Sequence, residues 1–417
     1  MVADIVDKEP TGPLVGLKVL DLSRILAGPW CTQILGDLGA EVIKIEQPGQ
    51  GDDSRRWGPP FLDDGSFDSS YYLCANRNKR SVAIDLADPR GADIVRRITA
   101  GADILVENFR VGTLAKYGLD YASLSNLNPR LIYCSISGFG QTGPYRNRGG
   151  YDFLIQGMSG LMSVTGRPER EPGGGPMKVG IPISDLTTGL YSTISILAAL
   201  AHRDRTGEGQ QIDMALLDTQ VALLANQASG YLNGGMIPRR LGNEHPNTLP
   251  YQDFACSDGV ILVALGNDRQ FRDFADLIGR PGLARDPRFI DNGNRSLNRA
   301  ALLGELRPAI AEWKADDLLA AMDQAKLPGG RVSEIPDVLT DPQIEARNLV
   351  QELRRADGTA VRVLGYPGKF SKTPADYRLA PPRSGENTRS VLAELLGIDD
   401  VALNELVEAG VIAEKLR

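Results

Sequence analysis

The sequence predicts an α/β fold, with a doubly wound parallel sheet in a large domain and a second, smaller α+β domain. The first observation is a strand–helix–strand unit within residues 17–46, where LKVLDL and AEVIKIE have the apolar character of buried strands and flank a helical pattern. The second is that strand and helix patterns keep alternating as far as residue 140. The third is the length of 417 residues, which is more than one hydrophobic core usually serves.

The predicted elements of the large domain follow one another along the first half of the chain. Asp88 and Pro89 predict the start of a helix over 89–100, with Asp88 as its N-cap and Pro89 in its first turn. Apolar spacing predicts a long helix over 186–203 and another over 217–232. Further strands are predicted at 81–86, 102–109, 131–140 and 210–216.

The second half of the chain has the patterns of the smaller domain. A strand is predicted at 259–265, and helices are predicted at 268–279, 298–313, 316–324, 388–396 and 401–410. The segment 332–380 mixes short helix and strand signals. Two Gly- and Pro-rich stretches, 141–184 and 233–252, are long enough that we expect them to be functional loops.

Composition excludes several classes of function. Lysine and arginine total 46 against 53 for aspartate and glutamate, which gives a net charge of −7, so a nucleic-acid partner is not expected. His202 and His245 are the only histidines, and the four cysteines lack C-x-x-C spacing. We therefore expect no metal site and reduced, cytosolic thiols.

Two stretches were considered as targeting or membrane segments. The first 13 residues are polar and lack the apolar run of a secretory signal. The apolar stretch near 189–201 is interrupted by threonine and serine and is too short to span a bilayer. The sequence therefore predicts a cytoplasmic protein without a membrane partner.

A glycine motif, Gly138–Gly143 (GFGQTG), matches the pattern G-x-G-x-x-G after a predicted strand. A dinucleotide fingerprint must open a helix, because the helix N-terminus faces the pyrophosphate. The segment that follows here, PYRNRGG, is a poor helix former. We therefore expect a tight active-site or structural loop and no NAD.

Asp185 stands at the start of the predicted helix 186–203 and permits two interpretations. An aspartate at a helix start is a good N-cap. The same helix N-terminus would also keep a carboxylate ionised, with one oxygen free to react. Gly189, one turn later, would let another group approach closely.

Two polar clusters lie next to predicted strands. Arg77, Lys79 and Arg80 precede one strand, and the segment Asn108–Arg110 ends another. Ligands bind at the carboxyl edge of open α/β sheets. The clusters are therefore either an anion site for phosphates or solvated surface charge.

Three other residues in the loops also permit more than one interpretation. Taken alone, Tyr151 has the character of a packed tyrosine and Asp152 that of a capping aspartate. His245, within GNEHPNTLPY, is a candidate base, although a lone loop histidine is more often a hydrogen-bonding or surface residue.

Together, these segments closely resemble the class III CoA-transferases, also called the carnitine-dehydratase and bile-acid-inducible (CaiB/BaiF) family. The matching segments follow the family's order and extend over residues 12–417. They are GLKVLDLSRILAGPWCTQILGDLGAEVIKIEQPGQGD (16–52), NKRSVAIDL (78–86), ADILVENFRVGTLAKYGL (102–119), NPRLIYCSISGFGQTGP (128–144), GYD (150–152), ISDLTTGLYSTISILAAL (183–200), TGEGQQIDMALLDT (206–219) and DPQIEARNLV (341–350).

The resemblance implies a particular architecture. It implies a Rossmann-like large domain made from both chain ends and joined to the smaller domain, with two ring-shaped subunits interlocked as a homodimer. On this basis the large domain comprises residues 1–225 and 341–417. The small domain is 241–325, and the linkers are 226–240 and 326–340.

The resemblance also implies that Asp185 is the catalytic nucleophile. In this family the aspartate of this motif attacks an acyl-CoA thioester to give a mixed anhydride, and the CoA thiolate returns to form an enzyme-CoA thioester. An acceptor carboxylate then collects CoA through a second anhydride. Tyr151 and Asp152 align with a Tyr–acid pair beside the active centre. The expected substrates are an acyl-CoA and a carboxylate, and neither a metal nor NAD is expected.

Substrate contacts follow from the resemblance as well. Relative to the formyl-CoA branch, Leu26 replaces a glutamine and Gln47 an arginine, whereas the segment 242–254 is more similar to relatives that use succinyl-CoA and dicarboxylates. The residues that align with the family's CoA site are Ile25, Leu26, Ala27, Ile84, Asp85, Leu86, Ala87, Asn108, Phe109, Arg110 and Lys116. Further candidate substrate contacts are Gly140, Arg148 and His245. Candidates to hold a distal carboxylate of the acceptor are Arg146, Arg148, Arg239 and Arg240.

Two alternative functions stay open at this point. The α-methylacyl-CoA racemases of this family place a histidine immediately before the acid that aligns with Asp152, where this chain has Tyr151. Tyrosine is a poor general base near neutral pH. The other alternative, a non-catalytic CoA-ester-binding protein, would have no need of Asp185.

Overall fold

The structure, a computed structural model, describes residues 11–414 and divides into two compact units. The first unit contains the chain up to Leu161, Val179–Ala228 and the chain from Pro342 onward, and the second contains Met162–Lys178 and Ser229–Asp341. Most of the polar N-terminal segment, for which no leader was predicted, lies outside the described residues.

The strands form three sheets. Their bounds are β1 Lys18–Asp21, β2 Glu41–Glu46, β3 Lys79–Ile84, β4 Ile104–Glu107, β5 Ile132–Ser137, β6 Gln210–Ala215, β7 Tyr251–Cys256, β8 Gly259–Ala264, β9 Gly329–Arg331, β10 Val350–Arg354, β11 Ala360–Leu364 and β12 Ile412–Ala413. The main sheet has the order β12-β3-β2-β1-β4-β5-β6. β1 to β6 are parallel and β12 is antiparallel to β3, so the predicted parallel sheet is confirmed.

Helices cover both faces of this main sheet. The helices are α1 Ala27–Asp37, α2 Ser70–Leu73, α3 Pro89–Ala100, α4 Tyr121–Leu127, α5 Asp152–Met158, α6 Leu161–Val164, α7 Ile183–Thr206, α8 Leu216–Ala222, α9 Ala225–Gly234, α10 Asp268–Leu277, α11 Asn292–Leu297, α12 Arg299–Ala311, α13 Ala315–Gln324, α14 Ile335–Leu339, α15 Pro342–Ala346, α16 Thr388–Leu396 and α17 Asp400–Glu408. On one face, Val95 of α3 and Val391 of α16 pack against the strands. On the other face, Leu35 of α1 and Ile196 of α7 do so. This is the doubly wound arrangement.

Local sequence signals account for some element boundaries and miss others. Asp88 caps α3 as predicted, since its carboxylate accepts a hydrogen bond of 2.8 Å from the N–H of Arg90. The single helix predicted over 217–232 is wrong: α8 ends at Ala222 and α9 begins at Ala225, whose φ of +40° breaks the helical path. The antiparallel hairpin of β10 and β11 lies in the segment whose signals were mixed.

The C-terminal segment is attached to the first unit through a strand and through buried charges. β12 pairs with β3 at Ile412 and Ile84. Arg355 donates to Asp64 at 2.7 Å and to Asp68 at 2.6 Å, and all three side chains are almost completely buried. The two ends of the chain therefore share one core.

The second unit is built on the antiparallel sheet β7-β8-β9. Helices α10, α12 and α13 cover it, with Phe254, Phe271 and Leu306 in the core. The unit boundaries differ from the predicted ones in three places, one being that residues 229–240 of the predicted linker 226–240 belong to this unit. Residues 162–178 belong to this unit, although they were assigned to the large domain at 1–225. The predicted linker 326–340 contains β9, which pairs with β8.

Helix α7 packs directly on α1, and Gly189 makes this possible. A Cβ atom at Gly189 would lie 2.7 Å from the carbonyl oxygen of Ala27 and 3.0 Å from Cδ1 of Trp30. By length and composition α7 is also apolar enough to cross a membrane, a test that core helices of globular proteins commonly pass. Its contacts with α1 and β5 are those of a core helix.

Replacement of Gly189 tests this packing. We expect Gly189→Ala to lower the free energy of unfolding by about 1–3 kcal/mol, because the backbone oxygen of Ala27 cannot move aside without displacing α1. The matched control is Gly304→Ala within α12, where a Cβ meets open space. This control should be neutral or stabilise by about 0.5–1 kcal/mol. Equal effects in denaturant unfolding would contradict the close approach.

Candidate active site

The two loops that carry most of the predicted CoA-site residues lie side by side. β1 and β4 are neighbours in the sheet, but the chain passes from β1 towards β2 and from β4 towards β5, on opposite sides. This divergence opens a crevice at the carboxyl ends of the two strands. The crevice therefore brings the loop after Asp21 next to the loop after Glu107.

One cavity of about 350 Å³ occupies this crevice, and Asp185 is one of the residues that line it. The predicted CoA-site residues that line it are Ile25, Leu26, Ala27, Asn108, Phe109 and Arg110. Tyr151, Arg146 and Arg148 line it as well. The structure thus places the predicted nucleophile and half of the predicted CoA site around a single space.

A second cavity, of about 180 Å³, contains the other predicted CoA-site residues except one. It is lined by Ile84, Asp85, Leu86 and Ala87, all at the end of β3. Arg24, Phe109 and Thr113 line both cavities, so the two are adjacent. The exception is Lys116, which is exposed on the 3-10 turn Leu114–Tyr117 and lines neither of these cavities in the described chain.

The basic cluster at Arg77, Lys79 and Arg80 is not a phosphate site, which corrects one of the sequence interpretations. Lys79 is buried and bonds Asp21 at 3.0 Å. The guanidinium of Arg77 is buried against Asp37. Arg80 reaches Glu41 at 2.9 Å and also bonds Glu394, so all three cations are used inside the fold.

Asp185 is the third residue of α7, not its N-cap. The cap position is Pro182, which offers no side-chain hydrogen bond. Within residues 11–414, the Asp185 carboxylate has no hydrogen-bond or ion-pair partner, and it lines the cavity while half-buried. The capping interpretation of Asp185 is therefore wrong, and its carboxylate is free to meet a ligand.

The carboxylate that caps α7 comes from a different helix. Asp152, the first residue of α5, accepts hydrogen bonds from the N–H of Ser184 at 2.7 Å and from the N–H of Asp185 at 3.4 Å. Its other oxygen accepts a bond of 2.6 Å from Gln156. Asp152 therefore occupies the helix N-terminus and leaves Asp185 without that role.

Asp185 is less readily ionised than its position at a helix N-terminus would lead one to expect. Burial and the neighbouring negative charge of Asp152 raise the pKa of Asp185 to about 7. A pKa near neutrality leaves a substantial anionic fraction at pH 7 and makes that anion more basic.

Tyr71, which sequence reasoning missed, lies near the predicted nucleophile, although it lines neither of the two cavities in the described chain. It lies on the short helix α2, and burial together with the nearby Asp185 carboxylate raises the pKa of its phenol. The phenol therefore stays protonated and can donate a hydrogen bond. Nothing in YYLCANRNKR distinguishes Tyr71 from a core tyrosine, because its neighbour Asp185 is far away in the sequence.

The glycine loop after β5 closes one side of the cavity. Its two ends touch, since a Cβ at Gly138 would lie 2.6 Å from the Cα of Gly150. Gly140 has a φ of +86°, and the next N–H, that of Gln141, bonds the Asp213 carboxylate at 2.9 Å. Helix α5 begins only at Asp152, so the glycine motif does not open a helix as a dinucleotide fingerprint would.

The aromatic residues of this loop hold Arg148. Its guanidinium lies 4.7 Å from the ring centroid of Tyr145 and 5.3 Å from that of Phe139. Such stacking orients a guanidinium and leaves its N–H groups available. Tyr151, at the other end of the loop, is 65% exposed.

The predicted substrate residues of the second unit have other partners. Nδ1 of His245 accepts hydrogen bonds from the N–H groups of Asn247, at 3.1 Å, and Thr248, at 3.0 Å. The imidazole therefore stabilises the turn that follows it in the chain. Arg240 forms an ion pair with Glu169. Among residues 11–414, no group of three or more His, Cys, Asp or Glu side chains is placed to hold a metal ion.

Comparison with known proteins identifies the family. A sequence model described as CoA-transferase family III matches residues 14–388. The chain belongs to this family. Family III CoA-transferases are enzymes, and the sequence resemblance to CaiB/BaiF proteins is thereby confirmed.

Individual relatives agree over almost the whole chain. It is 47% identical to a succinate–glutarate CoA-transferase from Agrobacterium fabrum, with 96% of this chain and 99% of that protein aligned. It is 40% identical to the human succinyl-CoA:glutarate CoA-transferase, over 96% of this chain and 90% of that one. A CaiB/BaiF family crystal structure from Brucella suis superposes with a TM-score of 0.81 at 48% identity, covering 92% and 100% of the two chains.

Proposed function

We propose that this CoA-transferase moves CoA from succinyl-CoA to a dicarboxylate acceptor, with Asp185 as its covalent nucleophile. The observation that carries the proposal is the cavity in the β1–β4 crevice, which is lined by the carboxylate of Asp185, a group without a hydrogen-bond or ion-pair partner among residues 11–414. The choice of donor and acceptor is supported by relatives named for succinyl-CoA with glutarate and for succinyl-CoA with D-citramalate.

The acyl-CoA lies along the two adjacent cavities. Its nucleotide end occupies the smaller cavity at Ile84–Ala87, and its thioester end extends past Phe109 towards Asp185. Arg24 lines both cavities and Arg110 lines the larger one, and guanidinium groups pair well with phosphates. Lys116 is left out of this arrangement because it lines neither cavity.

The chemistry follows from a carboxylate that faces a thioester. A carboxylate oxygen of Asp185 attacks the thioester carbonyl carbon, the C–S bond breaks, and the CoA thiolate leaves with the electron pair. The thiolate then attacks the side-chain acyl carbon of Asp185, which releases the donor carboxylate and leaves an enzyme thioester. The acceptor carboxylate repeats the attack, and return of the thiolate to the acceptor's acyl carbon restores the Asp185 carboxylate.

Neighbouring groups assist these steps. The phenols of Tyr71 and Tyr151 donate hydrogen bonds to the developing oxyanion, Tyr71 because its raised pKa keeps it protonated. Asp152 fixes the helix end that carries Asp185. The glycine loop between Gly138 and Gly150 shields the anhydride from water.

We also propose a homodimer, interlocked as the family resemblance implies. The support from the structure is an exposed apolar surface on α5, α7 and α8 of the first unit. Its members are Phe153, Leu154, Met158, Leu190, Tyr191, Ile194, Val221 and Leu223. Exposed apolar side chains on helices that contact one another are typical of subunit interfaces.

The proposed activity is tested with a panel of substrates. Succinyl-CoA is supplied with glutarate and other C4–C6 dicarboxylates or with monocarboxylates of equal length, and the acyl-CoA products are separated and quantified. We expect kcat/KM for dicarboxylates to be at least about tenfold higher than for monocarboxylates, because one charge-assisted hydrogen bond to the second carboxylate contributes about that factor. Absence of every acyl-CoA product would contradict the proposal. Exchange of the substrate α-proton in heavy water without an acceptor would indicate a racemase instead.

The nucleophile is tested by trapping. Hydroxylamine or borohydride added during turnover should label Asp185, as shown by peptide mass spectrometry, because both reagents attack an activated aspartyl group. Asp185→Ala should lower kcat by about 10⁴-fold or more. Asp204→Asn, at the exposed far end of α7, is the control and should keep wild-type activity. A label on any other residue would contradict the assignment.

The pH dependence tests the coupling between Asp185 and Asp152. Because the ionised Asp185 reacts and its pKa is raised to about 7, kcat/KM should fall as the pH drops through this value. Asp152→Asn keeps an oxygen for the Ser184 N–H but removes the repelling charge, so the acid limb should move to lower pH. Asp204→Asn, about 28 Å away along α7, should leave the limb in place. An unmoved limb in Asp152→Asn would contradict the coupling.

A further inference from the structure

The turn that enters the cavity between β1 and α1 has an unusual backbone. Ile25 has a φ of +72°, in the left-handed region that β-branched residues rarely adopt. Such a conformation persists only when surrounding contacts enforce it. Ile25 and its neighbours Arg24 and Leu26 line the cavity, so the shape of this turn sets the shape of one cavity wall.

Three side chains hold this turn through its backbone: Lys44 lies in β2, Asp52 in the loop after β2, and Asn108 directly after β4. The carboxylate of Asp52 accepts a hydrogen bond of 3.1 Å from the N–H of Ile25. Lys44 donates to the carbonyl of Ser23 at 2.8 Å. The amide of Asn108 bonds both backbone groups of Arg24, accepting from its N–H at 2.9 Å and donating to its carbonyl at 2.7 Å.

Asp52 and Lys44 form the fixed base of this arrangement. Their charged groups lie 2.9 Å apart and are almost completely buried. Although burial alone would raise the pKa of Asp52, the adjacent Lys44 ammonium and the hydrogen bonds from Ser54 hold it well below its usual range. The Asp52 carboxylate therefore stays ionised and accepts the hydrogen bond from the Ile25 N–H. The backbone of Asp52 is held in turn by Glu46, whose carboxylate accepts a hydrogen bond of 2.7 Å from the Asp52 N–H.

We propose that Asp52, buried against Lys44, is a positioning residue for CoA-thioester binding: it holds Ile25 in the left-handed turn that forms the cavity wall. Asp52 lines neither of the two cavities that we assign to the acyl-CoA. It therefore acts through the backbone of Ile25. In the same way, the side chain of Asn108, which lines the cavity, uses both its oxygen and its nitrogen to hold the backbone of Arg24.

The test compares two buried carboxylates, each paired with a buried cation. Asp52→Asn removes the charge that strengthens the bond from the Ile25 N–H and breaks the pair with Lys44, whereas the control Asp37→Asn breaks the buried pair with Arg77 at the far end of α1. We expect Asp52→Asn to raise both the Kd of CoA, measured by calorimetry, and the KM of succinyl-CoA by about tenfold, with kcat changed less than about twofold. Asp37→Asn should lower the Tm but leave the Kd and KM at wild-type values.

Two outcomes would overturn the inference. One is a wild-type Kd in Asp52→Asn. The other is an equal rise in Kd in Asp37→Asn, which would make the effect one of general stability. The inference rests on the proposed function, but the two can fail separately. A wild-type protein without transfer activity would contradict the proposed function. An active wild-type protein together with a CoA affinity that Asp52→Asn does not change would contradict only the inference.

A second variant tests the backbone conformation itself. Glycine adopts a positive φ without steric cost. In the background of Ile25→Gly, Asp52→Asn should therefore raise the Kd of CoA by clearly less than in the wild type, which a double-mutant cycle measures. An undiminished effect in that background would contradict the role of Asp52 in enforcing the turn.

Discussion

The divergence of the chain at β1 and β4 is the constraint on which the rest of this site depends. Parallel strands deliver their carboxyl ends to one edge of the sheet, and adjacent strands whose chains leave in opposite directions cannot cover the gap between them. The gap here receives the loops that begin after Asp21 and Glu107. Residues distant in the sequence consequently surround one cavity, and α7 places Asp185 in its lining.

Buried ion pairs fix the loops near the carboxyl edge of the main sheet. The pairs Asp21 with Lys79, Asp52 with Lys44, and Glu46 with Arg55 are buried among β1, β2, β3 and the loop after β2. Ion pairs this deeply buried contribute little net stability, because desolvation offsets their attraction. Their directional bonds nevertheless fix the loops that they touch, and the left-handed turn at Ile25 is one such loop. Asp152 acts in the same manner on α7, where it satisfies the helix end and leaves the Asp185 carboxylate without a partner among residues 11–414.

The sequence was sufficient for features that depend on local patterns. The alternating strands and the cap of α3 by Asp88 follow from residue type and spacing, and the structure confirms them. Gly189 does permit a close approach, but the group that approaches it is helix α1. Features that depend on partners far along the chain could not be predicted in this way. Arg77 and Lys79 have the appearance of a surface cluster until the fold supplies Asp37 and Asp21 as partners.

Asp185 shows the same limit. Its position at a helix start favoured capping, since no local signal shows that Asp152 already occupies the helix end. Tyr71, and the pairing of the C-terminal strand β12 with β3, likewise depend on long-range contacts that one sequence does not reveal. The family resemblance supplied the role of Asp185, and the geometry supplies a physical reason why that carboxylate is available.

The most direct measurement of the central claim is an experimental structure of the protein with bound CoA. The predicted result is a CoA molecule across the carboxyl ends of β1 and β4, with its nucleotide beside Ile84–Ala87 and its sulfur in contact with the Asp185 carboxylate. A CoA molecule bound elsewhere, or one whose sulfur is directed away from Asp185, would contradict the proposed site.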